Sequence, residues 1–560
     1  MRLRLPMELR AQMSFGRQRT HRQPLRRGLR HVGSVAARAV NLKEVLLFAS
    51  APARLTGDEG GADNVNSMAG WWRSKRAVRT GHIIACAALL VSCAQVLHNE
   101  PINQPLPPGF KPSLELGRDV DTYYDDTVVA LSFSGGGTRA AAFSYGVLTG
   151  IDATPMPNRS GSLLDRVDFV TGVSGGSVLA AYYGLKKRKA LTDFKERFLL
   201  RNAEENLQTT LSLLNIARGL QGGINDTTQF PRWLDDNLFE RATFKSLLFQ
   251  RRPYIWINAS DIYNRTPFVF GRVIFGALCS DLSTYPISLA VAASAAVPVV
   301  FTPVVIQNYP GGCPIPLPDW VQRVRANPDA PPLLKLFADA MQRYHSGEVR
   351  YVKLLDGGLV DNYGLAGFTI ARLASNTPYG PLEPEEGVKL RRLLFLVVDA
   401  GRAPAGAWAQ TVEGPSGLNL VTAASDTATE SGAVGSYSAF QEIMSQWQQA
   451  LIGWRCRLSA AERRHFGAPP GWNCRDVQIR VGRIAFDQLG PDRAAALNAV
   501  ETRFRLPPEQ VDLLINAGRD AFKSSSVVNA FLKSLRRAPS PPRGVPVASP
   551  AAGPQEAHAQ

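Results

Sequence analysis

The chain has 560 residues, of which 45% are hydrophobic and 20% are charged, and its formal net charge at pH 7 is +16. This composition indicates a globular protein with a large core and excludes a fibrous or wholly disordered chain. Most of the charge lies near the N-terminus, because residues 1–93 contain 16 basic and 5 acidic residues. The remainder is only modestly basic for its size, so we predict no nucleic-acid partner.

The stretch from Met68, "MAGWWRSKRAVRTGHIIACAALLVSC", has the layout of a secretory signal peptide. Basic residues come first, an apolar run covers residues 83–91, and small residues follow. That run is short for a membrane span, although a weak transmembrane or uncleaved helix is the alternative. We predict a signal peptide over residues 68–92, and a mis-assigned start or disordered extension over residues 1–67.

The last four residues of this stretch, "LVSC", resemble the lipobox of bacterial lipoproteins. The resemblance implies that Cys93 is lipidated and anchors the mature chain to a membrane. Because Ala94 follows, it also implies an outer-membrane lipoprotein of the bacterial cell envelope, facing the periplasm or the cell surface. Residues 93–126 are rich in proline and are predicted to form a tether.

The next segment predicts a βαβ unit. The apolar strand "TVVALSF" leads into a glycine loop and a helix, and the strand "VDFVTG" follows. Two strands joined by a helix within about fifty residues indicate a parallel sheet. Residues 185–250 are predicted to form amphipathic helices that cap the site.

Further strands are predicted at "YIWINASDI", "PFVFGRVIF", "VRYVKLLDGG" and "RRLLFLVVDAG", with a small-residue helix at "LAVAASAAVPVVFTP". Residues 402–475 are predicted to be a less regular insertion, followed by the strand "VQIRVGRIAF" and the helix "EQVDLLINAGRDAFKS". We therefore predict a catalytic domain over residues 127–401, a C-terminal extension of the same domain over residues 402–537, and a disordered tail over residues 538–560.

Four cysteines remain after the predicted signal peptide and its anchor: Cys279, Cys313, Cys456 and Cys474. An exported chain permits disulfides, and four cysteines allow three pairings, of which Cys456 with Cys474 is the local candidate. No cysteine or histidine spacing indicates a metal site, so we expect neither a metal nor a cofactor.

Ser174 lies in "GVSGG", a GxSxG pattern between a strand and a helix. Such a turn is sharp enough to require glycine and exposes the serine hydroxyl beside the N-terminus of a helix, where negative charge is stabilised. The pattern predicts a nucleophile. The alternative is a glycine-rich connection without chemical consequence.

The glycine loop contains Gly135, Gly136 and Gly137, and Arg139 follows it. Its N–H groups can face an anion because no side chain blocks the approach. A P-loop would need a lysine and a hydroxyl residue that are missing here, and a dinucleotide site would need an acid at the end of the second strand. The third interpretation is an oxyanion hole, in which Arg139 fixes the loop or steers an anionic head group.

The separation of 37 residues between Gly137 and Ser174 allows one crossover between strands. The two loops are therefore predicted on adjacent parallel strands, whereas in α/β-hydrolases they lie farther apart. A third motif, "DGG", places Asp356 at the end of a strand. Its carboxylate is predicted at the same edge as Ser174, and the alternative is the DG turn of a hairpin.

Together, "GGGTR", "GVSGG" and "DGG" resemble the patatin-like phospholipase family in order and spacing, over about residues 127–401. The stretches "AVAASAAVPVVFTP" and "DNYGL" also resemble it, while Ala140 stands where the family often has glycine. The resemblance implies a three-layer α/β/α fold with a mostly parallel central sheet and a helical cap. The site residues that it implies are Ser174 as nucleophile, Asp356 as general base, Gly135, Gly136 and Gly137 as oxyanion hole, Arg139 as loop support, and the motif glycines Gly172, Gly176, Gly357 and Gly358.

The expected function is therefore hydrolysis of acyl esters in phospholipids or other lipids through a Ser–Asp dyad. Asp356 must be partly buried if its pKa is to suit a general base. One alternative is an α/β-hydrolase triad of Ser174, Asp399 and His465, which occur in the required chain order. The other is a non-catalytic nucleotide-binding or surface lipoprotein.

Overall fold

The computed structural model describes residues 97–110, 126–157, 160–208, 215, 218–219, 222–249, 252–311, 313–404 and 406–536. The predictions for residues 1–67, the signal peptide over 68–92, the anchor Cys93 and the tail over 538–560 lie outside the described residues. No helix in the described ranges combines the length and the apolar composition needed to cross a membrane.

Within the described residues, eight strands form one sheet. The strands are β1 (Thr127–Phe133), β2 (Val167–Val173), β3 (Tyr254–Asp261), β4 (Thr266–Val269), β5 (Val304–Gln307), β6 (Tyr351–Asp356), β7 (Arg392–Asp399) and β8 (Gln478–Ala485). Their order is β5-β6-β3-β2-β1-β7-β8, and β4 pairs with β3. The five strands from β3 to β8 along this path are parallel, whereas β4, β5 and β6 join by antiparallel pairs. The predicted α/β fold with a mostly parallel central sheet is confirmed.

The helices lie between these strands and after them. Two π-helical segments, Lys195–Leu199 and Asp235–Phe239, continue the helices Ala190–Phe194 and Gln229–Leu234. The helices are α1 (Gly137–Asp152), α2 (Gly175–Lys186), α3 (Ala190–Phe194), α4 (Gln229–Leu234), α5 (Lys245–Leu248), α6 (Arg272–Ala277), α7 (Ile287–Ser294), α8 (Asp319–Ala326), α9 (Pro332–Ser346), α10 (Gly358–Asp361), α11 (Ala366–Ala374), α12 (Pro384–Lys389), α13 (Leu418–Arg455), α14 (Ala460–His465), α15 (Pro491–Asn498), α16 (Pro508–Ser524) and α17 (Ser526–Arg536).

Both faces of the central sheet are covered, because strand β7 is buried along its whole length and is apolar from Leu393 to Val398. Alternate residues of β7 point to opposite faces. Leu394 and Leu396 join the core that includes residues of α1 and α16, whereas Leu393 and Phe395 join the core that includes residues of α13. This arrangement gives the three layers that the family resemblance implies.

Two predictions on secondary structure were wrong. The segment predicted as a less regular insertion over residues 402–475 contains α13, which is 38 residues long. The first half of α13 consists mostly of small and polar residues, so the sequence there does not indicate a helix. In the second half, Phe440, Met444, Trp447 and Leu451 have helical spacing and are buried. In "PFVFGRVIF", only the first part is strand β4, and α6 begins at Arg272.

The described segment before the sheet is bound to the body. Asn99 donates through Nδ2 to Oγ1 of Thr302 at 2.9 Å, and Asn103 donates to the carbonyl oxygen of Gln307 at 2.8 Å. Residues 97–110 thus follow the β5 side of the sheet.

The disulfide Cys456–Cys474 confirms the local candidate, and a second disulfide joins Cys279 and Cys313.

The C-terminal helix α16 packs closely on α1 through two glycines. A Cβ atom at Gly146 would overlap the backbone carbonyl of Ile515, and one at Gly518 would overlap that of Phe143. The contact is therefore between helix backbones, and it leaves no room for a side chain at either glycine.

We predict that Gly518→Ala lowers the free energy of unfolding by about 1–3 kcal/mol, because the added methyl group forces the two helices apart. Gly435→Ala is the matched control, since Gly435 is also in a helix but no atom lies within 4 Å of the position that a Cβ would take there. The free energy of unfolding of that control should rise by about 0.5–1 kcal/mol, because alanine is more stable than glycine inside a helix. Urea unfolding of both variants measures the difference, and equal effects would contradict the close packing.

Candidate active site

The strand register brings Ser174 and Asp356 to one level of the sheet. The last residue of β2, Val173, pairs with Asn258 of β3, and the next residue of β3, Ala259, pairs with Asp356 at the end of β6. Ser174 follows Val173 directly, so the serine and the carboxylate lie on either side of the C-terminal part of β3. The Asp-Gly-Gly segment leads into α10, so the alternative of a hairpin turn was wrong.

Ser174 occupies a sharp turn between β2 and α2. Its φ of 50° is unusual for a residue with a side chain and stores backbone strain. Neighbouring backbone segments explain the glycines around it. A Cβ atom at Gly175 would overlap the carbonyl oxygen of Gly137, and one at Gly176 would lie 2.5 Å from the carbonyl oxygens of Phe133 and Ser134. The "GVSGG" pattern therefore lets the two loops touch.

A buried serine that the sequence analysis missed holds this turn in place. The N–H of Ser174 donates to Oγ of Ser294 at 2.8 Å, and that hydroxyl donates to the carbonyl oxygen of Asn258 at 2.6 Å. Its own carbonyl oxygen accepts the N–H of Gly357 at 3.1 Å. Ser294 thus touches the backbone of both motifs. The available signal was one polar residue inside the apolar run "AVAASAAVP".

Asp356 is buried, and burial raises the pKa of its carboxyl group to about 6. Two groups oppose this shift by stabilising the carboxylate. The N–H of Gly358 donates to Oδ1 at 2.8 Å, and the neighbouring side chain of Ser174 also lowers the pKa. The N–H of Asp356 itself donates to the carbonyl oxygen of Ala296 at 2.8 Å. The carboxylate is therefore fixed beside the serine with a pKa near neutrality.

The glycine loop presents two backbone donors rather than three. Gly136 and Gly137 have positive φ values of 135° and 60°. Within the described residues, their N–H groups and that of Gly175 donate no hydrogen bond. The N–H of Gly135 instead donates to the carbonyl oxygen and to Oδ1 of Asn362, both at 3.2 Å. The prediction that Gly135 belongs to the oxyanion hole is wrong because its donor is already bound.

Arg139 supports the loop from inside the protein. Its side chain is only 3% exposed, and it donates through Nε to the carbonyl oxygen of Ala400 and through Nη1 to that of Val500, both at 3.0 Å. Burial lowers the pKa of its guanidinium to about 10. Of the two roles considered for Arg139, the geometry favours fixing the loop, since a buried guanidinium cannot reach a head group in solvent.

The alternative triad is not assembled. The carboxylate of Asp399 accepts hydrogen bonds from Tyr363 Oη at 2.8 Å, Arg483 Nη1 at 2.7 Å and the N–H of Gly401 at 2.8 Å. His465 ends α14, where its ring packs against Phe466. Neither residue contacts Ser174 among the interactions of the described residues. Within the same ranges, no group of three or more His, Cys, Asp or Glu side chains could hold a metal ion.

Residues 131–369 match the family model described as Patatin-like phospholipase. The chain contains a patatin-like phospholipase domain. The matched span includes Ser174, Asp356 and the glycine loop, and it ends inside α11. No curated protein matches the chain.

Among solved structures, the chain is similar to human GIVD cytosolic phospholipase A2, with 13% identity, a TM-score of 0.34, and coverage of 76% of this chain and 62% of that one. Its complex with methyl gamma-linolenyl fluorophosphonate gives 13% identity, a TM-score of 0.33, and coverage of 76% and 61%. The complex that also contains terbium chloride gives 14% identity, a TM-score of 0.33, and coverage of 76% of this chain and 61% of that one. The chain thus spans less than two thirds of the length of these proteins.

We predict that Ser294→Ala slows covalent labelling of Ser174 by a fluorophosphonate about 10- to 100-fold, because the turn that presents the hydroxyl loses its anchor. Ser288→Ala is the matched control. Ser288 is buried in the same helix, but its hydroxyl donates to Asp235 at 2.9 Å. Both variants should lose about 1 kcal/mol of stability. Equal labelling rates at matched stability would contradict a positioning role for Ser294.

We also predict that Asp356→Asn stabilises the fold at neutral pH. The folded-state pKa of about 6 exceeds the ordinary value of 3.8, so the native state binds the proton more tightly and the wild type loses stability as pH rises from about 4 to 6. The neutral amide avoids this loss, which amounts to about 1–3 kcal/mol.

Urea unfolding at both ends of this pH range measures the gain. Ser174→Ala is the control, because it keeps the buried carboxyl group and should still lose stability with rising pH. An Asp356→Asn gain that is the same at acid and neutral pH would show that burial of the charge is not its cause.

Proposed function

We propose that the protein is a lipid acyl hydrolase that cleaves carboxylic esters with Ser174 as nucleophile and Asp356 as general base. The observation that carries this proposal is the position of the strained Ser174 at the same level of the sheet as Asp356, a buried carboxyl group whose pKa is raised to about 6. The match to a family described as Patatin-like phospholipase supports lipid as the substrate class. The geometry of Asp399 and His465 offers no support for the triad.

The first half of the proposed reaction forms an acyl-enzyme. Oγ of Ser174 attacks the ester carbonyl carbon while the Asp356 carboxylate accepts the hydroxyl proton. Negative charge develops on the former carbonyl oxygen, and the free N–H groups of Gly136 and Gly137 are available to stabilise it. The tetrahedral intermediate then collapses, and the departing alcohol takes the proton from Asp356.

The second half returns the enzyme to its starting state. Asp356 accepts a proton from water as the water oxygen attacks the acyl carbon. The second intermediate expels Oγ of Ser174, which takes the proton back, and the fatty acid leaves. A carboxylate with a pKa of about 6 is ionised at neutral pH, so it can act as a base without a histidine.

The setting that we propose is the bacterial cell envelope, with Cys93 lipidated and the chain held at a membrane. The signal-like layout of residues 68–92 and the lipobox-like "LVSC" support this proposal. A membrane anchor would place the enzyme next to phospholipids, which are the substrates we favour among acyl-ester lipids.

The first test compares the wild-type chain with Ser174→Ala, Asp356→Asn and His465→Ala in ester and phospholipid hydrolysis. We expect Ser174→Ala and Asp356→Asn to lose at least about 1000-fold in kcat, because each removes one member of a coupled pair. His465→Ala should retain full activity, since its ring packs away from the serine. A requirement for His465 with a dispensable Asp356 would restore the triad, and no activity in folded wild type would remove the proposed function.

A further inference from the structure

An exposed group of aromatic, apolar and basic residues lies on the β3–β4 turn and at the start of β6. Three of its members are large and solvent-exposed: Tyr263 by 61%, Ile262 by 42% and Tyr351 by 38%. The two segments touch, because the N–H of Ile262 donates to the carbonyl oxygen of Lys353 at 3.2 Å. We call this surface the aromatic-basic patch, and it comprises Ile262, Tyr263, Arg265, Arg350, Tyr351 and Lys353.

The patch has a positive charge that the described residues leave uncompensated. Arg350 and Lys353 lie over the ring of Tyr351, with the cationic groups 5.4 and 5.5 Å from its centroid. Within the described residues, no carboxylate forms an ion pair with the three cations of the patch. The neighbouring acid, Glu348, lies 3.5 Å from Arg343 and is thus already paired.

The register places the patch on the same side of the sheet as Ser174. Strand β6 is antiparallel to β3 and runs from Tyr351 toward Asp356. Its five steps cover about 17 Å at the usual rise per strand residue. Tyr351 therefore lies beyond the C-terminal end of β3, outward from the catalytic level. A surface that contacts the patch also faces the edge from which Ser174 emerges.

We propose that the aromatic-basic patch binds the surface of an anionic phospholipid bilayer and orients the catalytic edge toward it. Tyrosine rings favour the headgroup region of a bilayer, and each lysine or arginine near an anionic surface adds attraction. This inference rests on the proposed function for its biological sense. The binding itself depends only on the patch.

The test uses the full chain with Cys93→Ser in every sample, so that no acyl anchor masks the contribution of the patch. Flotation with phosphatidylcholine vesicles containing about one third phosphatidylglycerol should recover the parent protein, and pure phosphatidylcholine vesicles should recover much less. Arg350→Glu with Lys353→Glu, and separately Tyr263→Ala with Tyr351→Ala, should each weaken binding at least about tenfold.

The matched control is Phe249→Ala with Arg272→Glu. Phe249 is 68% exposed and Arg272 lies over its ring at 5.8 Å, but this pair precedes β3 and follows β4, away from the catalytic edge. It should bind vesicles like the parent. Binding by the patch variants within twofold of the parent, equal loss in the control, or equal binding to both vesicle types would overturn the proposal.

Hydrolysis of a water-soluble short-chain ester separates this proposal from the proposed function. The patch variants should keep parental kcat on that ester, because none of the substituted residues contacts Ser174 or Asp356. Lost vesicle binding with retained ester hydrolysis supports the patch. An inactive parent that still binds anionic vesicles through the patch would remove the proposed function and leave the membrane contact standing.

Discussion

The site depends on one constraint of the sheet, which is that β3 continues beyond β2. Val173 ends β2 opposite Asn258, whereas β3 extends to Asp261. The extra residues give β6 a partner, and β6 pairs with them in the antiparallel direction. Strand β6 therefore runs back toward the end of β2 and ends with Asp356 beside Ser174.

The same arrangement affects the pKa of Asp356, on which its proposed role as a base depends. Burial at the end of β6 raises the pKa of Asp356, while the N–H of Gly358 and the Ser174 hydroxyl limit the rise. Without the contributions of Gly358 and Ser174 the pKa would be higher, and more of the group would be protonated at neutral pH. Without burial its pKa would be too low for an effective base. Desolvation and these two groups therefore shift the pKa in opposite directions, and the buried charge lowers the stability of the folded state.

Much of this site could be predicted from the sequence because its signals are local. Glycines flank Ser174 and follow Asp356, and the 37-residue spacing correctly predicted adjacent strands. Ser294 and Asn362 could not be found in this way, since they act on Ser174 and Gly135 across 120 and 227 residues of chain. Local patterns carry no information about such bonds. For the same reason the sequence could not show that the N–H of Gly135 is bound to Asn362.

The glycine loop also depends on residues outside the matched family span. The N–H of Thr138 donates to the carbonyl oxygen of Arg503 at 2.8 Å, and a Cβ atom at Gly137 would meet that same carbonyl at 2.5 Å. Arg139 reaches the carbonyl oxygen of Val500. These contacts set the direction of the two free N–H groups, yet they come from a segment more than 130 residues beyond the end of the match at residue 369. The backbone of residues 500–503 therefore supports the glycine loop, because it fills the space beside Gly137 where a side chain would otherwise lie.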